Sequence, residues 1–128
     1  MPIPYEIDGA RQRIHTRCIG DVTPAEVVAH FRALAEEPHL PERLDVLLDF
    51  RELTAYPDSR QLQSIGIEIR QRLAKVAWGR CAVIGATDLA FGIGRMFEMI
   101  TEPSFRGTMV FRDLESAIRW LDTPEEKL

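Results

Sequence analysis

The side chains capable of acid–base, nucleophilic or metal chemistry are scattered along this chain rather than grouped. Its three histidines, His15, His30 and His39, fall in a predicted strand, a predicted helix and a loop, with no cysteine or carboxylate beside them at metal-ligand spacing. No Gly-x-Ser-x-Gly motif occurs, and neither cysteine has the local signature of an activated nucleophile. The sequence therefore predicts no metal site, no cofactor and no catalytic centre, and we expect a protein that is not an enzyme.

One segment is a candidate for a nucleotide-binding or anion-binding motif: Phe91-Gly92-Ile93-Gly94-Arg95-Met96-Phe97. It contains a Gly-x-Gly pair, but the third glycine of a dinucleotide fingerprint is missing and the segment follows a late strand. We expect Gly92 and Gly94 to let the third helix start close against the sheet. Near a helix start, Arg95 would add to the positive end of the dipole and receive an anion; the alternative is an ion pair with Glu98.

Basic residues are concentrated in one stretch of the chain. Between Arg60 and Arg80 there are five basic residues and one acidic residue, which gives a local net charge of +4. The net charge of the whole chain is −4, so the other residues together carry −8. The five are Arg60, Arg70, Arg72, Lys75 and Arg80. This stretch is either a solvated helix face whose cations complement the helix dipole or a surface for an anionic partner. The acidic net charge argues against nucleic-acid binding.

Composition places the chain among soluble globular domains. Hydrophobic residues make up 45% and charged residues 28% of the sequence. No apolar run approaches the roughly 18 residues that would span a bilayer, so we expect no stable membrane insertion. The N-terminal residues lack the basic and apolar segments of a signal peptide, which predicts a cytoplasmic protein. In that compartment Cys18 and Cys81 are expected to be reduced, buried thiols.

Apolar spacing alternates between the periods of strands and helices and predicts the order ββαβαβαβα. Three helix starts carry a capping residue: Thr23 before Pro24, Asp58 with Gln61 three residues on, and Asp113. Pro103 is expected to stop the third helix. The predicted strands are Tyr5–Asp8, Arg13–Ile19, Leu44–Phe50, Cys81–Gly85 and Thr108–Phe111, and the longest helix is predicted over residues 59–77.

This alternation predicts an α/β fold with parallel strands joined by crossover helices, to which the first hairpin adds one antiparallel edge. No linker or repeat divides the chain, so residues 1–128 are expected to form a single domain. Its architecture would be a βα superhelix with a mixed, mostly parallel five-stranded sheet. An exposed edge strand could pair with a second copy, which makes a homodimer a further expectation.

The arrangement resembles the SpoIIAA-like family. The resemblance rests on Val46-Leu47-Leu48-Asp49, on the Phe91–Phe97 segment, and on Val110-Phe111-Arg112-Asp113 followed by Ala117-Ile118-Arg119-Trp120-Leu121, and it covers nearly the whole chain. That family shares the fold of STAS domains and is similar to the lipid-exchanging SEC14-like (CRAL-TRIO) domains. The resemblance implies strands in sequential order and a role in binding and regulation rather than catalysis.

The resemblance also implies a site before the longest helix. In STAS-class anti-sigma-factor antagonists, a strand ending in Leu-Asp leads to an Asp-Ser-Ser-Gly turn whose first serine is phosphorylated by a partner kinase. Here Leu48-Asp49 leads to Asp58-Ser59-Arg60-Gln61, which keeps the Asp-Ser pair but replaces the second serine and the glycine. The alternative is that Asp58 is a plain helix cap and Ser59 an ordinary first-turn residue.

Two functional hypotheses follow. The first is a non-enzymatic, STAS-like regulatory domain that binds a protein partner over the loop at Asp58, Ser59 and Arg60. The second is a small carrier or sensor that holds an apolar or amphipathic ligand between the sheet and a movable helix, as the SEC14-like similarity implies. The second hypothesis predicts a sizeable apolar cavity lined by three residues of the third helix, namely Phe91, Met96 and Met99.

Overall fold

The computed structural model describes residues 3–38, 43–72, 77–102 and 104–124. It is an α/β fold in which five strands form one sheet and the elements follow the predicted order. The elements are β1 Tyr5–Asp8, β2 Arg13–Asp21, α1 Pro24–Ala35, β3 Leu44–Ala55, α2 Ser59–Arg72, β4 Trp78–Ile84, α3 Asp88–Thr101, β5 Gly107–Phe111 and α4 Leu114–Asp122. No helix within these ranges is long and apolar enough to cross a membrane.

The strands lie in the sheet in the order of the chain, β1-β2-β3-β4-β5. The first pair is antiparallel, with Tyr5 opposite Thr16, and the remaining three pairs are parallel. Both the sequential order and the antiparallel first hairpin were predicted. Because each parallel pair is joined by a crossover helix, the carboxyl ends of β2 to β5 lie along one edge of the sheet.

The two faces of the sheet carry separate apolar cores. Helices α1, α2 and α3 cover one face, where the fully buried side chains include Ile14, Phe31 and Leu34. Helix α4 packs on the other face through Ala117 and Leu121. Side chains along β3 alternate between the two cores, as the pleat of a strand requires. On the α4 side the strand residues in contact are Leu47, Ala82 and Ile84.

The predicted helix starts are confirmed by their hydrogen bonds. Thr23 forms a capping box with Glu26, and Asp113 Oδ1 accepts the backbone N–H of Ser116 at 2.8 Å. Residues 73–76 and Pro103 lie outside the described ranges, so the predicted continuation of α2 from Leu73 to residue 76 and the stop of α3 at Pro103 fall outside the described residues. The same holds for His39 and Lys75, and for the side chain of Arg72. Ala77, the predicted last residue of that helix, is described and is not helical, so the predicted end is wrong.

Strand β3 is longer than predicted. It runs to Ala55 rather than ending near Phe50, because β2 continues to Asp21 and pairs with it as far as Asp21 opposite Ala55. Asp49 is therefore in the middle of a strand rather than at its end. The connection from β3 to Ser59 is only the short segment 56–58.

Candidate functional site

The loop before α2 presents the predicted Asp-Ser pair at the surface. Asp58 caps the helix: its Oδ1 accepts the backbone N–H of Gln61 at 2.8 Å, and its own N–H donates to Gln61 Oε1 at 2.9 Å. Ser59 is the first residue of α2 and Arg60 the second, and both are exposed. The capping role of Asp58 is thus confirmed, and it leaves the Ser59 hydroxyl at a positive helix end in contact with solvent.

An open groove separates α2 from α3 on the outside of the molecule. It has a volume of about 340 Å³, and its walls are Gln63, Ile67 and Arg70 of α2 and Met99 and Ile100 of α3. The large apolar side chains of Ile67 and Met99 are 47% and 77% exposed. Met99 therefore lies in a surface groove rather than in an enclosed cavity.

The groove belongs to the same helix face as the loop. Ser59, Gln63, Ile67 and Arg70 follow one another at intervals of three or four residues, which places them on one side of a helix. All four are exposed. We call this set, together with Met99, the α2–α3 face. It joins two of the predicted sites, the loop before α2 and the outer part of α3.

The position near a helix start, on which the possible anion site at Arg95 depended, is wrong. Helix α3 begins at Asp88 and is capped by Thr87, whose side chain accepts the N–H of Ala90. Arg95 is consequently in the middle of the helix, away from the dipole end that would attract an anion. Its Nη1 pairs instead with Glu98 Oε2 at 3.2 Å on the surface, which was the alternative drawn from the sequence.

The two glycines of α3 have different surroundings. Gly94 is buried against the sheet, whereas a Cβ added to Gly92 would have no atom within 4 Å. The prediction that both glycines bring α3 close to the sheet holds for Gly94 and is wrong for Gly92, because Gly92 lies on the outer side of the helix. The neighbouring Phe91 is partly buried beneath the guanidinium of Arg112, 4.3 Å from its ring centroid.

The basic stretch does not form one surface. Arg80 is buried in β4 and donates from Nη2 to the carbonyl oxygens of Leu121 and Thr123 at the end of α4, at 3.0 and 2.7 Å. It thereby satisfies orphan carbonyls of that helix. Arg60 and Arg70 are exposed and form no hydrogen bond or ion pair with other described residues, so these two remain for an anionic partner.

An apolar cavity of about 40 Å³ lies between the sheet and the helices, at the carboxyl ends of β2 and β3. Its floor is formed by strand residues such as Leu48 and Phe50, and its walls by residues of α1, α2 and α3, including Phe31, Leu62 and Phe97. The second hypothesis expected a cavity near Phe91, Met96 and Met99. None of those three residues lines this cavity.

One buried histidine lines the cavity. His30 Nε2 lies 2.8 Å from Oγ1 of Thr16, which is also in the lining. The other ring nitrogen, Nδ1, is buried and has no hydrogen-bond partner in the described structure. Burial lowers the pKa of His30 to about 4, so the ring is neutral at physiological pH.

A polar cluster on the opposite face of the sheet was missed by sequence reasoning. Asp49 is a buried carboxylate that accepts from Arg51 Nε at 3.0 Å and Nη2 at 2.7 Å, and its Oδ2 lies 3.3 Å from Nε2 of His15. Burial alone would raise the pKa of Asp49, but the bonds from Arg51 and His15 outweigh it and lower the pKa. The signal in the sequence that could have pointed to this cluster is the single carboxylate, Asp49, inside the otherwise apolar run 46–50.

No nucleophilic side chain among the described residues hydrogen-bonds to His15 of this cluster. A histidine oriented by a carboxylate can act as a general base, but it needs a nucleophile or substrate within hydrogen-bond reach. Among the described side chains, His15 hydrogen-bonds to Asp49 alone. Both cysteine thiols are buried; burial raises the pKa of Cys18 to about 12 and also raises that of Cys81, which makes them poor nucleophiles.

The described residues form no group of three or more His, Cys, Asp or Glu side chains that could hold a metal ion. The α2–α3 face and the apolar cavity are the candidate binding features of the described structure. Comparison of the chain with protein-family models, with curated proteins and with solved structures returns no match.

Proposed function

We propose that this chain is a non-enzymatic regulatory domain that binds a protein partner, the role that its resemblance to STAS domains implies. The observation that carries the proposal is the α2–α3 face, in which Ser59 and the groove beside Met99 lie along one exposed side of α2. The partner would cover the groove and reach the start of the helix.

The side chains of this face favour a protein partner on physical grounds. Ile67 and Met99 are large apolar groups exposed on adjacent helices, and covering them removes apolar surface from water. Arg60 and Arg70 stand beside them without an acidic partner among the described residues. Acidic groups on a partner would meet these arginines, which gives orientation and faster association more than affinity.

Ser59 supplies a means of control. A phosphate on its hydroxyl would meet the free N–H groups and positive dipole of the first turn of α2, while the Asp58 carboxylate would repel it. These effects oppose each other, so phosphorylation is expected to leave the fold intact. Its consequence would be a change of charge at one end of the α2–α3 face, where the partner docks.

The test is a comparison of matched surface variants as bait in a lysate of the host cell. Ile67→Glu places a charge in the groove, and Met109→Glu places one on β5 at a residue of similar exposure, 44% against 47%. Proteins that wild type and Met109→Glu capture should be lost with Ile67→Glu, while all three proteins melt alike. Equal capture by both variants would refute docking at this face.

The role of Ser59 is tested separately. Ser59→Asp should keep the melting temperature of wild type and alter capture of the same partner. Asp58→Ala should lower the free energy of unfolding by about 0.5–2 kcal/mol, because it removes the helix cap. If Ser59→Asp captures the partner as wild type does and Asp58→Ala only destabilises, the loop is a helix cap without a regulatory role.

The cavity favours a second candidate function, a sensor of a small apolar or amphipathic molecule. Its lining is apolar apart from Thr16, His30 and the thiol of Cys18, and it is partly open to the surface. Native mass spectrometry of protein purified from its own host tests this candidate. We expect a retained small molecule; a mass equal to that of the bare chain after gentle isolation would count against it.

A further inference from the structure

We propose that the partner docks on the α2–α3 face as an amphipathic helix, with two apolar side chains in the groove and one acidic residue opposite each of Arg60 and Arg70. The inference rests on the proposed function and names the chemical class of that partner. It makes no use of the apolar cavity, so it is independent of the second candidate function.

The groove has a preformed floor because α2 and α3 meet closely at one glycine. Gly66 is buried, and a Cβ atom added to it would collide with the side chain of Ile100, which therefore rests on the backbone of α2. Ile100 is partly buried, whereas Ile67 and Met99 stand exposed at the sides. The volume of about 340 Å³ is roughly twice that of a cavity that holds benzene, which suits two large apolar side chains.

The backbone around the groove favours a helix over an extended segment. An extended peptide binds by adding its backbone to the free edge of a sheet. Both walls here are helices, α2 Ser59–Arg72 and α3 Asp88–Thr101, and the N–H and C=O groups in the middle of a helix bond within it. Recognition must then come from side chains, which an amphipathic helix presents along one face.

Two arginines stand on the same side of α2 as the groove. Arg60, Gln63, Ile67 and Arg70 fall within about 80° on a helical wheel, and all four are exposed. Arg60 and Arg70 are ten residues apart, which is about 15 Å along the helix. The apolar groove therefore lies between two positive charges, at a spacing that a partner helix has to match.

The acidic residues of the described structure leave these two charges in place. None of the described residues that line the groove is acidic. Glu68, the acid of α2, turns towards α1, where its Oε2 lies 3.6 Å from Nη2 of Arg32. A partner helix with an acidic residue at i, apolar residues at i+4 and i+7, and a second acidic residue at i+11 carries the complementary groups on one face, over about 16 Å.

The same side chains suit a membrane surface less well. A helix that lies on a membrane buries a wide apolar face and carries basic residues on the other. Among its described residues, α2 exposes one large apolar side chain, that of Ile67. The net charge of the chain is −4, which opposes attraction to anionic lipids. A protein helix is therefore the better match.

The first experiment compares two synthetic peptides of about 18 residues, long enough to form alanine-rich helices. The acidic peptide has glutamates at i and i+11 and leucines at i+4 and i+7, and the control peptide has lysines in place of the glutamates. Measured by fluorescence anisotropy, wild-type protein should bind the acidic peptide about tenfold more tightly, because two ion pairs become two repulsions in the control. Equal affinities would overturn the acidic class of the partner.

The second experiment reverses a charge on the protein. Arg70→Glu should weaken binding of the acidic peptide and strengthen binding of the lysine peptide, each about threefold or more. Arg119→Glu makes the same change of net charge at an exposed position of α4, on the opposite face of the sheet, and should change either affinity by less than about twofold. A loss for the acidic peptide without a gain for the lysine peptide would contradict the charge pairing at Arg70.

A lipid surface is tested by co-sedimentation with vesicles of phosphatidylglycerol and phosphatidylcholine. We expect no binding, and binding that Ile67→Glu abolishes would overturn the choice of a protein helix. If neither peptide binds wild-type protein, the helical partner is refuted. The proposed function is decided separately, since capture from a lysate by Ile67→Glu and Met109→Glu shows whether any protein docks at this face.

Discussion

A Cβ atom placed on Gly94 would lie 2.8 Å from Cγ1 of Val110, so the backbone of α3 rests directly on the side chains of the sheet. The same atom would lie 3.3 Å from Cγ1 of Val83, inside the core that α1, α2 and α3 cover. Gly94→Ala must therefore displace buried valines or move the helix, and it should lower the free energy of unfolding by about 1–3 kcal/mol. Urea denaturation measures the change.

Gly92→Ala is the matched control, because the two glycines lie two residues apart in the same helix. A methyl group on Gly92 would meet no atom within 4 Å. Alanine favours a helix over glycine by up to about 1 kcal/mol, so this variant should be as stable as wild type or more stable. Equal destabilisation by the two substitutions would mean that α3 is rotated about its axis relative to the described structure.

His30 should make stability depend on pH. Its pKa is lowered to about 4 in the folded protein by burial, against about 6.5 in an unfolded chain. Between these values the unfolded chain binds the proton first, so the stability present above about pH 6.5 is lost as pH falls towards 4. A shift of this size corresponds to at most roughly 3 kcal/mol. The aromatic rings that pack against His30 are those of Tyr5 and Phe31, whose centroids lie 5.2 and 5.3 Å from the centroid of the imidazole.

The measurement is the free energy of unfolding at several pH values for wild type and His30→Phe. The difference between the two proteins should change across this window and be constant above it. A difference that is the same from pH 7 to pH 4 would show that His30 does not titrate with a lowered pKa.

Asp49→Asn should weaken the fold at neutral pH. The buried carboxylate accepts two side-chain bonds from Arg51, and its replacement by an amide leaves that guanidinium, whose side chain is 42% exposed, without its anionic acceptor. We expect a loss of about 1–3 kcal/mol. Because the pKa of Asp49 is lowered in the folded state, its contribution is present above the ordinary value near 4 and is lost as pH falls through the folded value.

A surface ion pair of the same sheet face serves as the control for Asp49. Glu52 accepts from Arg17 Nη2 at 2.8 Å, and both side chains are about half exposed. Glu52→Gln should cost less than about 1 kcal/mol. If the two substitutions have the same effect at pH 7, burial of Asp49 contributes nothing to the strength of its contacts.

Leu48→Ala tests the position of β3 and the wall of the cavity together. Leu48 is buried and lines the cavity, so truncation should cost about 2–5 kcal/mol and enlarge the space. Leu89→Ala removes the same atoms from a side chain that is 61% exposed and should change stability by less than about 0.5 kcal/mol. Leu48→Ala should also admit larger apolar molecules than wild type. A melting curve like that of wild type would show that Leu48 is not in the core.

The features that could be predicted from the sequence are those encoded within a few residues. Caps at Thr23, Asp58 and Asp113 are local hydrogen bonds, and the alternation of strand and helix periods follows from which side chains face a core. The fold class and the element order were therefore within reach. The start of α3 was missed although Thr87-Asp88 is also a local capping signal.

The features that could not be predicted depend on which distant residues come to lie opposite each other. His15 and Asp49 are 34 residues apart, and only the register of β2 against β3 brings them to 3.3 Å. The cavity likewise arises from how three helices fit on the sheet rather than from any motif. The orientation of α3 about its own axis could be predicted in part, because Gly94 lies at helical spacing from the buried residues Ala90 and Phe97, whereas Gly92 does not.

Helix α4 covers the second face of the sheet, and it is also the last described element of the chain. Ribosomes add residues one at a time, at about 5–20 per second, so strands β3 and β4 leave the ribosome before their cover does. During that interval Leu47, Ala82 and Ile84 form an apolar patch open to water, to chaperones and to other nascent chains. Closure of the core under α4 is thus tied to the synthesis of α4 itself, and a chain stalled before Leu114 would expose a surface prone to aggregation.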